Sequence, residues 1–207
     1  MLVVGNRGLC GTYNTALLRY LEQLHREDGR EAFLVVAGRW GRDMIPSVGL
    51  PVKRSFEISD TPTAEEARGL TDYLRELYRE GTADEIVLVY QRFKSVLSQN
   101  PGTRTLLPLE PCAGAADSGD VIFEPDREQL LETLVAMYLD NTVHAALLEA
   151  RSGEHSSRMT AMTAAADNTE ELIGELTLEL NHARQAAITT EISEIVGGAA
   201  ALSSERH

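Results

Sequence analysis

Residues 156–202 read SSRMTAMTAAADNTEELIGELTLELNHARQAAITTEISEIVGGAAAL, and the predicted fold follows from their pattern. They belong to a longer run, residues 126–202, which is rich in helix-forming residues and contains no proline; Pro125 lies directly before it. A continuous helix of these 77 residues would be about 115 Å long, at a rise of ~1.5 Å per residue. No compact domain of a 207-residue chain has that diameter. The sequence therefore predicts a helix that leaves the body of the protein.

The apolar residues in the second half of this run recur alternately four and three positions apart, which is the a/d pattern of a coiled coil. We call them the seam: Met162, Ala166, Thr169, Ile173, Leu176, Leu180, Ala183 and Ala187. Further apolar residues follow at Ile188, Ile192, Ile195 and Ala199. An amphipathic helix that packs on a core shows a similar stripe, but the length of the run favours a coiled-coil shaft.

The charge of the run indicates what kind of helix pairs with the seam. Residues 126–202 carry 13 acidic and 4 basic side chains, a net charge of −9. Arg184 is the only Lys or Arg between Met159 and Leu202. Because complementary flanking charges select the partner in a coiled coil, we expect a basic helix as the partner. The 207 residues contain no basic helix of this kind.

Residues 1–125 alternate between strand and helix patterns, which is typical of an open and largely parallel α/β sheet. Helices are expected from Asn14 or Thr15 to Gly29 and from Thr61 or Thr63 to Gly81, with a helical turn in WGRDMI (40–45). The expected strands are 2–5, 32–38, 52–58 (an edge strand), 85–93 and, more weakly, 104–109 and 120–123.

The predicted fold class is therefore α/β. An open Rossmann-like sheet domain occupies residues 1–125, a long C-terminal helix of coiled-coil type occupies 126–202, and 203–207 form a polar tail. The carboxylates of the long helix have ordinary solvent-face spacing, so we expect them to face solvent or a partner.

The composition excludes several classes of function. A net charge of −13 argues against nucleic acid as a partner, since phosphate contacts need clustered Lys and Arg. No apolar run is as long as a membrane span, and the N-terminus has no signal-peptide pattern. Cys10 and Cys112 form no disulfide framework, and neither they nor the five histidines have metal-ligand spacing. We expect no metal and a reducing compartment.

The segment GNRGLCG (5–11), after the first strand, is the candidate for a nucleotide site. A dinucleotide fingerprint needs G-x-G-x-x-G and a P-loop needs G-x-x-x-x-G-K-[ST], whereas these glycines stand at 5, 8 and 11 without a lysine. We therefore expect a sharp backbone turn. Cys10 has no histidine nearby in sequence to act as a base, so a buried structural cysteine is favoured over a nucleophile. The sequence predicts no catalytic residue and no cofactor.

Three segments together resemble one family. Residues 156–202 are similar to the C-terminal helix of the F-type ATP synthase gamma subunit, GNRGLCGTYN (5–14) resembles its RGLCG-x-x-N turn, and EIVLVYQRF (85–93) resembles a strand of its α/β domain. The resemblance implies a rotor shaft, in which two antiparallel helices coil together inside a ring of three alpha and three beta subunits. Its rotation would couple a proton-translocating membrane ring to ATP synthesis or hydrolysis at the beta subunits, with no active site on this chain.

The resemblance also implies partners and contact residues. The partners are the alpha and beta subunits, the epsilon subunit and the membrane c-ring. In a bacterium the location is peripheral, at the cytoplasmic face of the plasma membrane. Arg184, Gln185 and Thr189 occupy the segment that touches the beta subunits.

The family carries a basic N-terminal helix ahead of its first strand, whereas this sequence begins at the strand. We therefore expect a fragment, a wrong start or a shortened paralogue. Two other functions stay open. One is a truncated gamma-like α/β binding module that recruits a partner through its acidic coiled-coil helix, and the other is a nucleotide-using enzyme built around residues 5–11.

Overall fold

The computed structural model of the protein describes residues 1–40, 48–96, 98–109, 124 and 126–204, with side chains to residue 199. Within these residues the strands are β1 (Leu2–Val3), β2 (Leu34–Ala37), β3 (Val52–Phe56), β4 (Ile86–Ser95) and β5 (Ser98–Leu107). The helices are α1 (Tyr13–Asp28), α2 (Ala64–Arg79) and α3 (Arg127–Ser204). The predicted α/β class with a long C-terminal helix is confirmed. The strand expected at 120–123 and most of the turn expected at 40–45 lie outside the described residues.

The five strands form one sheet in the order β3-β2-β1-β4-β5. The pairs β1–β2, β2–β3 and β1–β4 are parallel, and β4–β5 is antiparallel. β3 is an edge strand, as expected. The weak strand expected at 104–109 is the end of a ten-residue strand, β5, which pairs along the whole of β4 in a hairpin. The strand pattern did not reveal its first half because Pro101 and Gly102 interrupt it.

The two faces of the sheet are covered by different helices. One face packs against α1 through Leu17, Leu18 and Leu21. The opposite face packs against α2 and against the first half of α3, whose buried residues there are Leu139, Val143, Ala146, Leu147 and Ala150. The beginning of the long helix is therefore part of the core of the α/β body.

The helix ends follow from local sequence, with one correction. Thr63 caps α2 in a capping box with Glu66, as the sequence suggests. Gly29 ends α1 in the left-handed conformation, with φ of 64°. Asn14 and Thr15, the two residues expected to cap α1, both lie inside it, because the helix begins at Tyr13 after the N-cap Thr12. Asn14 is buried in the first turn, where its Oδ1 accepts a hydrogen bond from the Gly5 N–H at 2.9 Å. The side-chain amide of Asn14 therefore takes part in a tertiary contact and does not cap the helix.

The chain divides into two compact units, Met1–Ala161 and Met162–His207. Every side chain described from Met162 to Ala199 is exposed. None of the described helices has an apolar stretch long enough to cross a membrane.

Candidate functional site

The glycine turn lies at a special place in the sheet. The chain runs outward from β1 to β2 and β3 and then returns past β1 to β4, so the strand order reverses beside β1. In open α/β sheets, ligands bind outside the carboxyl ends of the strands at such a reversal. Residues 5–11 follow the carboxyl end of β1 and therefore occupy this position.

A carboxylate of α3 occupies the position that a ligand would take. The side chain of Glu154 accepts backbone hydrogen bonds from Asn6 (3.1 Å) and Arg7 (3.1 Å). The same carboxylate forms ion pairs with Arg151 and with Arg158, the latter at 2.7 Å. Glu154 and Arg151 are buried, with 3% and 6% of their side-chain areas exposed. We call this group of Glu154, Arg151 and Arg158 with the backbone of Asn6 and Arg7 the clamp.

The clamp extends to the segment before α2. The Arg151 guanidinium donates to Asn6 Oδ1 at 2.7 Å, and the amide of Asn6 donates to the Ile58 carbonyl at 2.7 Å and to Asp60 Oδ1 at 3.0 Å. Arg7 pairs with Asp60 at 2.9 Å in an exposed position. Arg151 is therefore satisfied from two sides, as a buried guanidinium needs.

Opposing effects set the protonation of Glu154. Burial raises the pKa of this carboxyl, but the hydrogen bonds from Arg158 and the Asn6 N–H and the charge of Arg151 outweigh burial, so its pKa lies below the ordinary 4.5. The carboxyl is ionised at neutral pH. Its negative charge, in turn, holds the two guanidinium groups at the turn.

A second face of α3 is held by the β4–β5 hairpin and α1. Glu149 accepts a hydrogen bond from the Phe93 N–H at 2.9 Å, and Ser157 donates to Gln99 at 3.0 Å. Between them lies Gly153, where a Cβ atom would lie 3.1 Å from Gln99 Oε1 and 3.2 Å from the Tyr13 ring. This glycine, which costs a helix about 1 kcal/mol relative to alanine, permits the close approach.

The candidate chemical groups near the turn have structural partners. Cys10 is buried, as expected, and accepts a hydrogen bond from the Asn14 amide at 3.4 Å. Burial and then the nearby Glu154 charge raise the pKa of the Cys10 thiol, which disfavours the nucleophilic thiolate. Cys112 lies outside the described residues. Among those described, no group of three or more His, Cys, Asp or Glu side chains is arranged to hold a metal ion.

We predict that the chain binds neither ATP nor NAD at micromolar concentrations. The N–H groups of Asn6 and Arg7 that could hold a phosphate donate to Glu154, and that of Gly5 donates to Asn14. Titration calorimetry measures this directly. Micromolar binding that is weakened by Gly8→Ala, where a Cβ has open space, would contradict the prediction and favour an enzyme.

The unit Met162–His207 presents the seam as an exposed face. Met162, Ile173, Leu176 and Leu180 have 41%, 60%, 54% and 68% of their areas exposed. An exposed apolar face of this length is typical of an interaction surface.

The three residues expected to contact a beta subunit lie on the same unit, and all are exposed. At ~100° per residue, Gln185 and Thr189 lie about 150° or more from the seam, and Arg184 lies at its flank. Thr189 donates to the carbonyl of Gln185 at 2.8 Å. Within the described part of the chain, Arg184 forms no ion pair. No partner chain is present, so their role stays a prediction.

The sequence interpretation missed the clamp. Glu154 was expected to face solvent or a partner with the other helix carboxylates, and that is wrong, because α3 packs its first half into the body. A signal was present: Arg151, Glu154 and Arg158 recur at i, i+3 and i+7, one helix face, beside the helix-weakening Gly153. That spacing alone is also common on solvent-exposed faces.

Known proteins share both the sequence and the fold. The ATP synthase family model matches residues 1–202. The ATP synthase gamma chain of Moorella thermoacetica is 46% identical over 203 residues, which cover 98% of this chain and 72% of that protein. The gamma chain of Desulfitobacterium hafniense is 42% identical, with the same coverage.

Solved structures agree in fold. The central stalk and c-ring structure of the Tetrahymena thermophila mitochondrial ATP synthase contains a chain with a TM-score of 0.63 and 24% identity, covering 80% of this chain and 75% of that one. A Euglena gracilis mitochondrial ATP synthase structure contains a chain with a TM-score of 0.74 and 20% identity, covering 100% of this chain and 73% of that one. Because the sequence match extends over almost the whole length, this chain belongs to the ATP synthase gamma chain family.

Proposed function

We propose that this chain works as the gamma subunit, the rotating central stalk, of a proton-translocating F-type ATP synthase. The observation that carries the proposal is the exposed seam on the unit Met162–His207, within a chain of this family. The helix is the shaft whose rotation couples the membrane ring to ATP synthesis or hydrolysis at the beta subunits. The chain itself contributes no catalytic group to that reaction.

The partner of the seam is a basic helix, the counterpart of the helix that precedes the first strand in this family. The exposure of Leu176 and Leu180 and the net charge of −9 over residues 126–202 support this assignment. Two helices with complementary charge form a coiled coil that covers the seam. A lone helix would leave these leucines in water.

The beta subunits contact other faces of the shaft. Gln185 and Thr189 point away from the seam, so a paired helix leaves them accessible. Apolar residues also lie off the seam, where Leu178, Ile192 and Val196 are 64%, 56% and 61% exposed. A surrounding ring of alpha and beta subunits is the kind of partner that can cover several faces of one helix. Arg184, at the flank, supplies the charge-assisted contact with acidic groups of beta.

The remaining partners follow the family. The α/β domain, residues 1–125 with the part of α3 that packs on it, contacts the epsilon subunit and the c-ring, and the remainder of residues 126–202 forms the shaft. The relatives from Moorella and Desulfitobacterium are bacterial. In such a cell the subunit is peripheral, at the cytoplasmic face of the plasma membrane.

Co-expression with the alpha and beta subunits of the same organism tests the proposal. We expect one copy of the chain to co-purify with three alpha and three beta subunits when a basic, apolar-striped helix is supplied. Leu176→Asp with Leu180→Asp should abolish this assembly, because the two carboxylates would be buried in the coiled coil. A chain that binds the basic helix but leaves alpha and beta unbound would contradict the proposal and favour the separate binding module.

A further inference from the structure

We propose that the clamp is the torsional joint of the rotor, in which Glu154, Arg151 and Arg158 fix the rotational angle of α3 relative to the α/β body. This inference rests on the proposed function, because torque matters only in a rotating shaft. The three side chains act as positioning residues. They hold the helix at one angle while load is applied between its two ends.

The side chains of the clamp all leave α3 on one face of the helix. Arg151, Glu154 and Arg158 lie within about 60° of one another around the helix, at ~100° per residue. All three contact the same short segment, residues 6–8. Glu154 accepts the backbone N–H groups of Asn6 and Arg7, and Arg158 donates to the carbonyls of Gly8 (3.4 Å) and Arg7 (3.5 Å). Arg151 donates to the side-chain oxygen of Asn6 at 2.7 Å. Donors and acceptors of the turn are therefore both held by one helix face.

A small rotation would break these contacts. Side chains reach about 5–6 Å from the helix axis, so a 20° turn of α3 would move the Glu154 carboxylate by roughly 2 Å. Hydrogen bonds of about 3 Å are lost over such a displacement. Because the group is buried, the broken state would leave charges without water or partners, which is strongly unfavourable.

The other contacts of α3 with the sheet resist rotation less. Leu139, Val143, Ala146 and Leu147 bury apolar surface, and the hydrophobic effect has no preferred direction. Such side chains stabilise the attachment of the helix but tolerate repacking. The hairpin contacts of Glu149 and Ser157 add direction on a second face, with one hydrogen bond each. Tyr13 Oη also donates to the Ala150 carbonyl at 2.8 Å, and the His144 ring contacts the Pro62 carbonyl at 3.1 Å. The clamp differs from these single bonds because several bonds, including a buried ion pair, hold one turn to one helix face.

The test compares two variants in a complete ATP synthase that contains this chain with its shaft partner. Arg158→Ala removes one ion pair and both carbonyl contacts but leaves the buried Arg151–Glu154 pair intact, so the protein should fold. The control is Val143→Ala, which removes buried apolar contact without touching the turn. ATP hydrolysis and ATP-driven proton pumping are measured in vesicles against an increasing opposing proton gradient.

We expect Arg158→Ala to lower the protons pumped per ATP at least threefold under load, with unloaded hydrolysis within twofold of the parent. Val143→Ala, compared at an equal distance below its own Tm, should keep the parental ratio. Arg158→Lys keeps the charge but not the second carbonyl contact, so its number of protons pumped per ATP should be intermediate. If the clamp only stabilises the fold, the number of protons pumped per ATP under load should be the same in all variants.

An engineered disulfide should restore the coupling that Arg158→Ala loses. A Cβ on Gly11 would lie 3.9 Å from that of Ala161 on α3, within the ~3.5–4.5 Å that a disulfide spans. Gly11 has a φ of 57°, where a cysteine is strained, so the oxidised and reduced forms of this variant are compared with each other rather than with the parent. In an Arg158→Ala background with both native cysteines replaced by alanine, Gly11→Cys with Ala161→Cys should restore the pumping ratio when oxidised and lose it when reduced.

The outcomes separate the two proposals. An Arg158→Ala enzyme that pumps like the parent under load, or a Val143→Ala enzyme that loses the same ratio, would overturn the torsional joint and leave the rotor function standing. A parent complex that hydrolyses ATP without pumping would overturn the rotor function and this inference with it. Redox-insensitive pumping in the cross-linkable variant would also count against the joint.

Discussion

Replacing Glu154 with alanine is expected to lower the free energy of unfolding by about 3–5 kcal/mol. The change removes the counter-charge of Arg151, whose side chain is 6% exposed, and leaves the N–H groups of Asn6 and Arg7 without their acceptor. A buried guanidinium without its counter-charge accounts for most of the expected loss. Urea unfolding followed by circular dichroism measures it, against a total stability of about 5–15 kcal/mol for a typical domain.

Asp72→Ala is the matched control. Asp72 and Arg75 form an arginine–carboxylate pair three residues apart on α2, at 3.3 Å, with side chains 60% and 24% exposed. An exposed pair of this kind contributes about 0–1 kcal/mol, so the control should unfold near the parent. Equal losses in the two variants would contradict the structural role assigned to the clamp.

The stability that Glu154→Ala loses should depend on pH. The pKa of Glu154 lies below its ordinary 4.5 in the folded chain, because the bonds from Arg158 and Asn6 and the charge of Arg151 outweigh burial. A carboxyl whose folded pKa is lowered contributes its full stability above the unfolded pKa and loses it as pH falls through the folded pKa. The stability difference between parent and Glu154→Ala should therefore be constant near neutral pH and shrink below about 4.5. A difference that shrinks between pH 8 and 6 would point to another group.

Replacing Arg184 and Gln185 together with alanine is expected to impair coupling far more than folding. Arg184 is the only Lys or Arg in the final part of α3, and both side chains are exposed in this chain. A charge-assisted contact at a partly desolvated interface contributes roughly 1.5–3 kcal/mol, so the affected equilibrium in the head shifts by about 10- to 100-fold. Stability should stay within about 1 kcal/mol, as is usual for surface changes. ATP hydrolysis and proton pumping in vesicles measure the effect.

Asp167→Ala with Asn168→Ala is the matched control for this variant. It also removes one charge and one amide from adjacent exposed positions of the same helix, but far from the proposed beta contact. We expect it to match the parent in stability and to change coupling less than the Arg184 and Gln185 variant. If the Arg184 and Gln185 variant pumps and hydrolyses like the parent, the assignment of these residues to the beta contact is wrong.

Local pattern was sufficient to predict the elements that local forces specify. The proline-free run predicted α3, and one of the two residues predicted to start α2, Thr63, caps it, because capping and helix propensity act within a few residues. Strand β5 was only half predicted, since its pairing with β4 overrides the interruption by Pro101 and Gly102. Propensity is a weak guide where tertiary pairing decides.

The candidate site, like the fold, was predicted only in part. The glycine spacing correctly argued for a turn at residues 5–11, since the backbone conformation is encoded locally. The occupant of that turn is Glu154, about 150 residues away in the chain. The burial of Glu154 depends on how α3 packs on the sheet, and local periodicity does not encode that packing. The exposed seam, by contrast, could be predicted because heptad spacing describes a surface of a single helix.

The rotation of this chain against the alpha and beta subunits can be observed in single complexes. The complex with alpha and beta subunits and the basic helix is fixed to a surface through the beta subunits, and a gold rod is attached to the α/β body through Ser98→Cys on the exposed hairpin. With ATP present, the rod should turn in one direction in discrete steps, and it should stop when ATP is removed. A rod that fluctuates without direction while the same complexes hydrolyse ATP would contradict the assignment of this chain as the rotor.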